Sequence, residues 1–552
     1  MDTRAREVIR IGDAAFSQKM QVDSLWQEIA LNFYPERADF TTKRNEGEEF
    51  ADHLFSSYPV LAKRELANML SELLRPDKFL SIHVDDEDLD SGDAERPFLE
   101  HLTNIQWRAM SDPAAQLVTA EGQTDHDYAA FGNGVLHFGT NFAGDGLLFR
   151  NFHLRDNAWS ENGENVIDCN HRNWNPSARQ LKHHFRDKVS KDVIRACEED
   201  PEKRFHCRHV VLPSRIYDYK SKGGKQFPFV SLFVERESET VLEETGLNAF
   251  PYVISRWMRV SGSPYGVSMA TQLLLPDART MQVMMRTLRE AGENYVNPPM
   301  VAITEAIRGD IALYPGGVTT ADMEYDERLG EVLRPITKDR GGFPIGMELA
   351  AALKDDVSRG FFLDKIKLPE TGRAMTATEV RRIIQEHIRA AAPLTKPIQQ
   401  ERNYPLCEGV FQLLTEHGVF PLDQMPESLQ GRDIKFKFRS PLDELQEQNE
   451  ADTYVDIMTR IVMPAAQIDP AQMENVDLTE ATRDAMRAAG WKAKWFKPKE
   501  AVDEKRAQVA EEQEAAQMMQ QVAAAGATAQ QAGQGIDALA NAGAGMQPQQ
   551  AA

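Results

Sequence analysis

Positive charge is in deficit in this sequence: 63 Lys and Arg stand against 85 Asp and Glu, a formal net charge of −22. A protein that coats nucleic acid needs a cationic footprint, so that class is excluded, although a protein past which nucleic acid slides is not. Cysteine is scarce as well. Cys169, Cys197, Cys207 and Cys407 are scattered, which reads as free thiols in a reducing compartment. No uninterrupted apolar run approaches the length of a membrane span, and the opening MDTRAREVIR has no apolar signal region. The expectation is a protein made in the cytosol, with no membrane partner.

Motifs of catalysis and cofactor binding are missing too. Gly223-Gly224-Lys225 does not complete the phosphate-loop pattern, and no G-x-S-x-G elbow or H-E-x-x-H pair occurs. The carboxylates fall into surface runs. His183, His184, Cys197, His206, Cys207 and His209 lack the paired spacing of a zinc site. In the acidic run Asp85 to Asp93, a calcium loop counted from Asp86 would put Ser91 where glycine is required and Pro97 where the bidentate glutamate belongs. The run reads as a solvated acidic loop. No cofactor, no metal and no enzyme activity are expected.

What is present is a long helix, Leu273 to about Asn297, with Leu274, Ala278, Met281, Met285, Leu288, Gly292 and Tyr295 recurring at steps of four and three. That is a narrow packing seam. Arg279, Gln282, Arg286, Arg289 and Glu293 follow the same steps about 100° round the helix. Pro298-Pro299 closes it. A mixed segment runs to Gly341-Gly342, and a second helix is expected from Gly346 to Asp364, with Leu349, Leu353, Val357 and Phe361 on one face. The pair reads as a helical neck with a small insert at its tip. Around it, residues 1 to 80 look helical, with one helix opening at Asp23-Ser24 and another from Val60 to Leu74. From Tyr128 to Val234 the pattern is strand-like, with Gly132-Asn133-Gly134 and Gly144-Asp145-Gly146 as turns and a helix from Ser177 to Lys188; Phe227 to Glu235 reads as a buried strand. After a loop with Lys365, Lys367 and Arg373, Thr376 and Glu379 make a capping box. Further helices follow from Ile398 to Glu416 and from Pro441 to Val462, with a strand from Ile434 to Arg439 between them. Residues 530–552 are low-complexity and read as a flexible tail. The fold class is α+β, mainly helical.

Several pieces, in this order, resemble the portal, or head-to-tail connector, proteins of short-tailed bacteriophages. They are Leu25-Trp26-Gln27-Glu28-Ile29 with Pro35, Leu66 to Pro76, Arg256-Trp257, Tyr265-Gly266, Leu275-Pro276-Asp277, Met375-Thr376-Ala377-Thr378-Glu379-Val380, and Ser440-Pro441-Leu442. The sequence departs from the family at Val267-Ser268-Met269, where the family often reads RSP. The resemblance implies a ring, usually of twelve subunits in the virion, built from wing, stem, clip and crown regions at one capsid vertex. DNA would enter through it during packaging and leave through it at infection. It implies N-terminal helices and wing in 1–272, a first stem helix in 273–296 and the clip in 297–345. A second stem helix (346–364), a tunnel loop (365–375), wing and crown helices with a strand (376–465), and a crown segment with the flexible tail (466–552) complete it. Lys365, Lys367 and Arg373 would face double-stranded DNA without reading sequence. Arg279, Arg286 and Arg289 would either face DNA or pair with carboxylates of a neighbouring helix. Leu274, Ala278, Met281, Met285 and Leu288 would pack the stem. Terminase, a major capsid or scaffolding protein and tail or adaptor proteins would be partners, and the protein would pass from the host cytoplasm into the virion. The residues leave open another structural virion or tail component, or a packaging enzyme subunit; the last has no motif behind it.

Overall fold

The computed structural model describes residues 3–45, 47–74, 79–86, 94–217, 226–296, 342–363, 396–438, 453–469 and 476–489, with short pieces and single positions elsewhere up to 512. It is mixed helix and sheet, 57% helical, which places the chain in the expected α+β class. The chain forms two compact units. The first holds Met1–Ile82, Leu102–Leu422 and Phe436–Leu445; the second holds His83–His101, Asp423–Lys435 and Gln446–Ala552.

The first unit begins with helix α1 (Thr3–Phe33). The sequence places a helix start at Asp23-Ser24, but the helix runs straight through. Ser24 spends its hydroxyl on the Met20 carbonyl (3.2 Å) and Asp23 pairs with buried Lys19 (3.1 Å), so both potential caps are used inside the helix. Trp26 lies at the centre of the main core, with ring centroids 5.6–6.4 Å from Phe40, Phe131, Trp159 and Tyr265. Helices α2 (Tyr58–Leu74) and α4 (Leu117–Phe131) follow, with the part of α3 (Glu95–Met110) from Leu102 onward. Helix α4 ends at Gly132, whose φ of +68° and close approach to the Val267-Ser268 backbone leave no room for a side chain. Gly132 is therefore a helix cap and not the strand-to-strand turn its sequence context suggests.

Two antiparallel sheets, of three and five strands, hold most of the β structure, beside two two-stranded sheets among the described residues. The smaller has the order β3-β2-β9, from β2 (Asn133–Thr140), β3 (Leu147–Asn151) and β9 (Tyr252–Arg256); strand β1 is Leu80–Val84. The larger is a meander of β4 (Asn157–Glu161), β5 (Ile167–Trp174), β6 (Cys207–Pro213), β7 (Phe229–Glu235) and β8 (Thr240–Leu247). Between β5 and β6 sit α5 (Ala178–Phe185), started by a Ser177–Gln180 capping box, and α6 (Lys191–Glu199). Their apolar faces, Leu181, Phe185, Val193 and Ala196, pack with Phe205 and Leu242 in a local core.

The long neck helix, α7 (Thr271–Val296), starts two residues before the expected Leu273. Ser268 Oγ takes the Thr271 amide (3.2 Å) and Thr271 Oγ1 donates to the Ala130 carbonyl (2.5 Å), so a partner distant in sequence sets the start. The second neck helix, α8, spans Gly342–Gly360, not Gly346–Asp364. Pro344 suits its first turn, where no amide partner is needed, and Phe362 at φ +58° ends the helical path. Beyond α8, a π-helical turn at Gln399–Asn403 leads into α9 (Tyr404–Glu416).

In the second unit Arg96 reaches His83 (3.1 Å), Ser428 donates to Glu95 (2.6 Å), and Lys435 pairs with Asp85 (2.5 Å). Its helix α10 (Leu478–Ala488) carries Arg483, which lies 5.7 Å from the Phe496 ring centre.

Candidate functional site

The seam residues of α7 pack within the chain. Leu274, Ala278 and Met281 are buried with Val357, Phe361 and Leu363, while Met285 and Leu353 are partly buried against the same core. Two glycines of α8 let the helices close on one another. A Cβ at Gly360 would lie 2.5 Å from a Leu274 methyl, and one at Gly346 would lie 2.7 Å from a Leu288 methyl. Burial then fades along α7: Leu274, Ala278 and Met281 are buried, Met285 and Leu288 half-buried, and Tyr295 exposed.

Each side of this hairpin has its own chemistry. On the flank that the sequence marks as polar, Gln282 accepts the Phe55 and Ser56 amides (2.8 Å each) and donates to the Ser56 carbonyl (2.9 Å). Arg279 pairs with Glu28. Arg286 pairs with Glu290 (2.9 Å) and lies 5.5 Å from the Phe55 ring centre. Arg289 is exposed. Arg279 and Arg286 thus each have a carboxylate of their own chain at hand, in exposed pairs that contribute little to stability.

Round from that flank, residues of α7 spaced by three and four, including Val283, Thr287 and Ala291, line a groove of about 1320 Å³ with Met284, Tyr295 and, from α8, Phe343; Arg279 of the polar flank also reaches it. Val283 is 66% exposed. On α8 a step of two residues turns the helix by 200°, so Ile345 and Leu349 lie far round from Phe343 and Met347. Ile345 is 61% exposed and Leu349 51%. The hairpin therefore presents an apolar groove on one side and an apolar ridge on the other.

The loop residues Lys365, Lys367 and Arg373 lie outside the described residues, as do the Met375–Val380 stretch, Gly223-Gly224-Lys225, most of 297–341 and the tail beyond 512. Three of the candidate zinc ligands have other contacts. His209 bonds Tyr252 and Ser231 (2.5 and 2.8 Å), His206 bonds Asn175 (2.9 Å), and the exposed His183 stacks on Phe142 at 4.7 Å. Among the described residues no group of three His, Cys, Asp or Glu could hold a metal ion, and no helix is long and apolar enough to cross a membrane.

Sequence reasoning missed the buried ion network behind the hairpin. Arg402, fully buried, pairs with Asp125 and with Glu121 (3.3 Å), reaches Ser255 Oγ, and lies 5.0 Å from the Tyr128 ring centre. Its neighbour Glu401 accepts from the Arg256 amide, Nε and a terminal nitrogen (2.8, 3.0 and 2.9 Å), and Arg256 also pairs with Glu161. Both Glu401 and Arg402 lie in the π-helical turn Gln399–Asn403. Arg256-Trp257 was visible as a motif, but nothing in the sequence singles out Arg402.

The chain matches the family model described as bacteriophage head to tail connecting protein over residues 5–496. It is similar to the portal protein of Salmonella phage epsilon15, at 25% identity over 375 residues, 65% of each chain, so this match spans a little under two thirds of that relative. It is also similar to the probable portal protein of Bordetella phage BPP-1, at 24% identity over 451 residues, 78% of each chain. Among solved structures, a chain from the virion of a native gene transfer agent particle covers 74% of this chain and 85% of its own, at 11% identity. The TM-score of 0.31 is too low for that overlay to carry weight.

Proposed function

Because this chain belongs to the family of bacteriophage head-to-tail connecting proteins, we propose that it works as a portal: a ring of identical subunits at one capsid vertex, through which DNA enters during packaging and leaves at infection. The observation that carries this reading is the two-sided hairpin. A groove on one side and a ridge on the other are different surfaces, so contact between copies is head-to-tail, and a head-to-tail contact closes into a ring when its rotation divides the circle. Val283, Met284, Thr287 and Phe343 of one subunit receive Ile345 and Leu349 of the next. The hairpin is then the stem, the insert between its helices the clip that meets terminase and later tail proteins, and the wing and crown the surfaces toward the capsid or scaffolding protein. Lys365, Lys367 and Arg373, shortly after the second stem helix in sequence, would touch the DNA backbone, with contacts that weaken as salt rises.

Such a ring holds and guides DNA without catalysis, so the purified protein should hydrolyse neither ATP nor DNA. The test is electron microscopy with mass photometry of the full chain. Rings with an axial hole are expected. A monodisperse monomer at every concentration, or an open filament, overturns the reading.

A further inference from the structure

The two sheets each carry a cross-strand row of side chains, and the rows meet. Across β3, β2 and β9 the register aligns Arg150, His137 and Tyr252. Across β5, β6 and β7 it aligns Arg172, His209 and Phe233. Residues opposite one another in register share a face. His209 joins the rows, with Nδ1 2.5 Å from the Tyr252 hydroxyl, Nε2 2.8 Å from Ser231 Oγ, and its ring centre 6.3 Å from that of His137. Both histidines are neutral. Burial first, then Arg172 and Arg150, pulls His137 down to about 3, and burial with Arg172 holds His209 well below its usual range.

Each row carries one guanidinium group: Arg150 on the edge strand β3, and Arg172 on β5 between His209 and Asn157 of β4. Arg172 lies 4.0 Å from the Phe152 ring centre and its side chain bonds the Tyr252 hydroxyl, while its Nε is buried without a hydrogen-bond partner. Arg150 is exposed, and it is close enough to Arg172 that this neighbour adds to burial in lowering its pKa. Among the described residues no carboxylate pairs with either. The acid that continues the second row, Glu243, is opposite Phe233 and pairs with Lys188 (3.7 Å). The buried arginines Arg402, Arg256 and Arg208 of this unit are matched, Arg402 by Glu121 and Asp125, Arg256 by Glu161 and Glu401, Arg208 by Asp13. In a chain with 85 acidic side chains, these two neighbouring arginines have no carboxylate paired with them among the described residues.

We propose that Arg150 and Arg172 form an anion site that takes an oxyanion with at least two acceptor oxygens, a carboxylate or a phosphate, with His184 at its rim. Guanidinium forks suit such ligands because each offers parallel N–H donors in fixed geometry. The stack on Phe152 holds Arg172 ready. His184 belongs to α5 and is near enough to feel the Arg150 charge. The anion is either a free phosphate or the carboxylate of a neighbouring copy.

The experiment compares thermal unfolding and assembly of the full chain in sodium phosphate and in sodium chloride, at one ionic strength and pH 7.5, for wild type, Arg172→Gln and the Arg150→Gln, Arg172→Gln pair. If the anion is free phosphate, phosphate at ten times its Kd raises the folding constant of wild type about elevenfold and leaves both variants unmoved. If it is a neighbour's carboxylate, phosphate leaves unfolding unchanged but weakens assembly, and the double variant assembles less at equal concentration. Should the double variant fail to fold, Arg150→Gln alone, at the exposed end, carries the same comparison. The proposal is overturned if phosphate and chloride are indistinguishable for wild type in both unfolding and assembly, or if the variants respond to phosphate as wild type does.

Discussion

The paired sheets and the neck hairpin handle their surfaces in opposite ways. In the sheet region the buried charges are mostly matched within the chain, and large aromatics such as Trp26, Trp159 and Trp257 are almost wholly covered. In the outer half of the hairpin, apolar side chains such as Val283, Val296 and Ile345 meet solvent, and the polar ones pair loosely on the surface. A region that satisfies itself needs no partner to be stable. One that leaves a groove and a ridge open gains stability only by meeting another surface. On the proposed reading, intrinsic stability lies in the sheets and assembly uses the hairpin.

Acid should break the first half of that contrast, with the largest effect. His137 and His171 are pulled down to about 3 by burial, and His209 is held lower than usual by the same cause. Their folded-state pKa values lie below the unfolded value, so the unfolded chain takes up protons first as pH falls below about 6.5. Stability is full above that pH and is lost as pH drops toward the folded values, at about 1.4 kcal/mol per pH unit for each histidine. Chemical denaturation at pH 7.5 and pH 5 should differ by roughly 6 kcal/mol for the three together, as an upper bound. The described hairpin helices contain no histidine. Hydrogen exchange at pH 5 should therefore loosen the sheets before α7 and α8, and the reverse order would contradict the assignment.

A smaller loss is expected from Arg402→Met, which removes the Arg402 cation from beside buried Glu121 and Asp125. About 3–5 kcal/mol should disappear from the denaturation free energy. A loss below about 1 kcal/mol would mean that the network contributes little to the sheet region's independence.

The smallest change in subunit stability, and the sharpest test of the contrast, comes from Val283→Asp with Ile345→Asp. Both sites are exposed, so subunit stability should move by no more than about 0.5 kcal/mol. Assembly should nevertheless fail, because each contact would bury an unpaired charge. Normal rings by mass photometry would remove the groove and ridge from the interface. Charges at Met285 and Leu288 could not make this distinction, since those side chains are partly buried within the hairpin itself.

Much of this organisation is legible in the sequence, for physical reasons that differ by region. The α7 seam could be read because helical periodicity is local, and the Ser177 cap because its partner Gln180 is three residues away. The strand expected from Phe227 begins at Phe229, since pairing with Leu247 and Pro213 decides its start. What could not be read depends on register or on distant partners. Arg150 and Arg172 come together only because two separate sheets align them, and Arg402 meets Glu121 and Asp125 across more than 270 residues of chain. The polar flank of α7 was visible as a stripe, but Ser56 as the partner of Gln282 was not. The loop with Lys365, Lys367 and Arg373 lies outside the described residues, and its DNA-facing role is a proposal.

Helix α7 has 26 residues, about 39 Å of rod, and only its first turns are set in the core. Mechanically it is a cantilever clamped near Met281 and Gln282, with α8 doubling its thickness. A beam held at one end deflects most at the other, so a lone hairpin would sway at its tip under thermal force. Set side by side in a closed ring, such beams brace one another as staves do in a cask. A push along the axis would then be carried by the whole wall and delivered at the clamps, beside the Trp26 core.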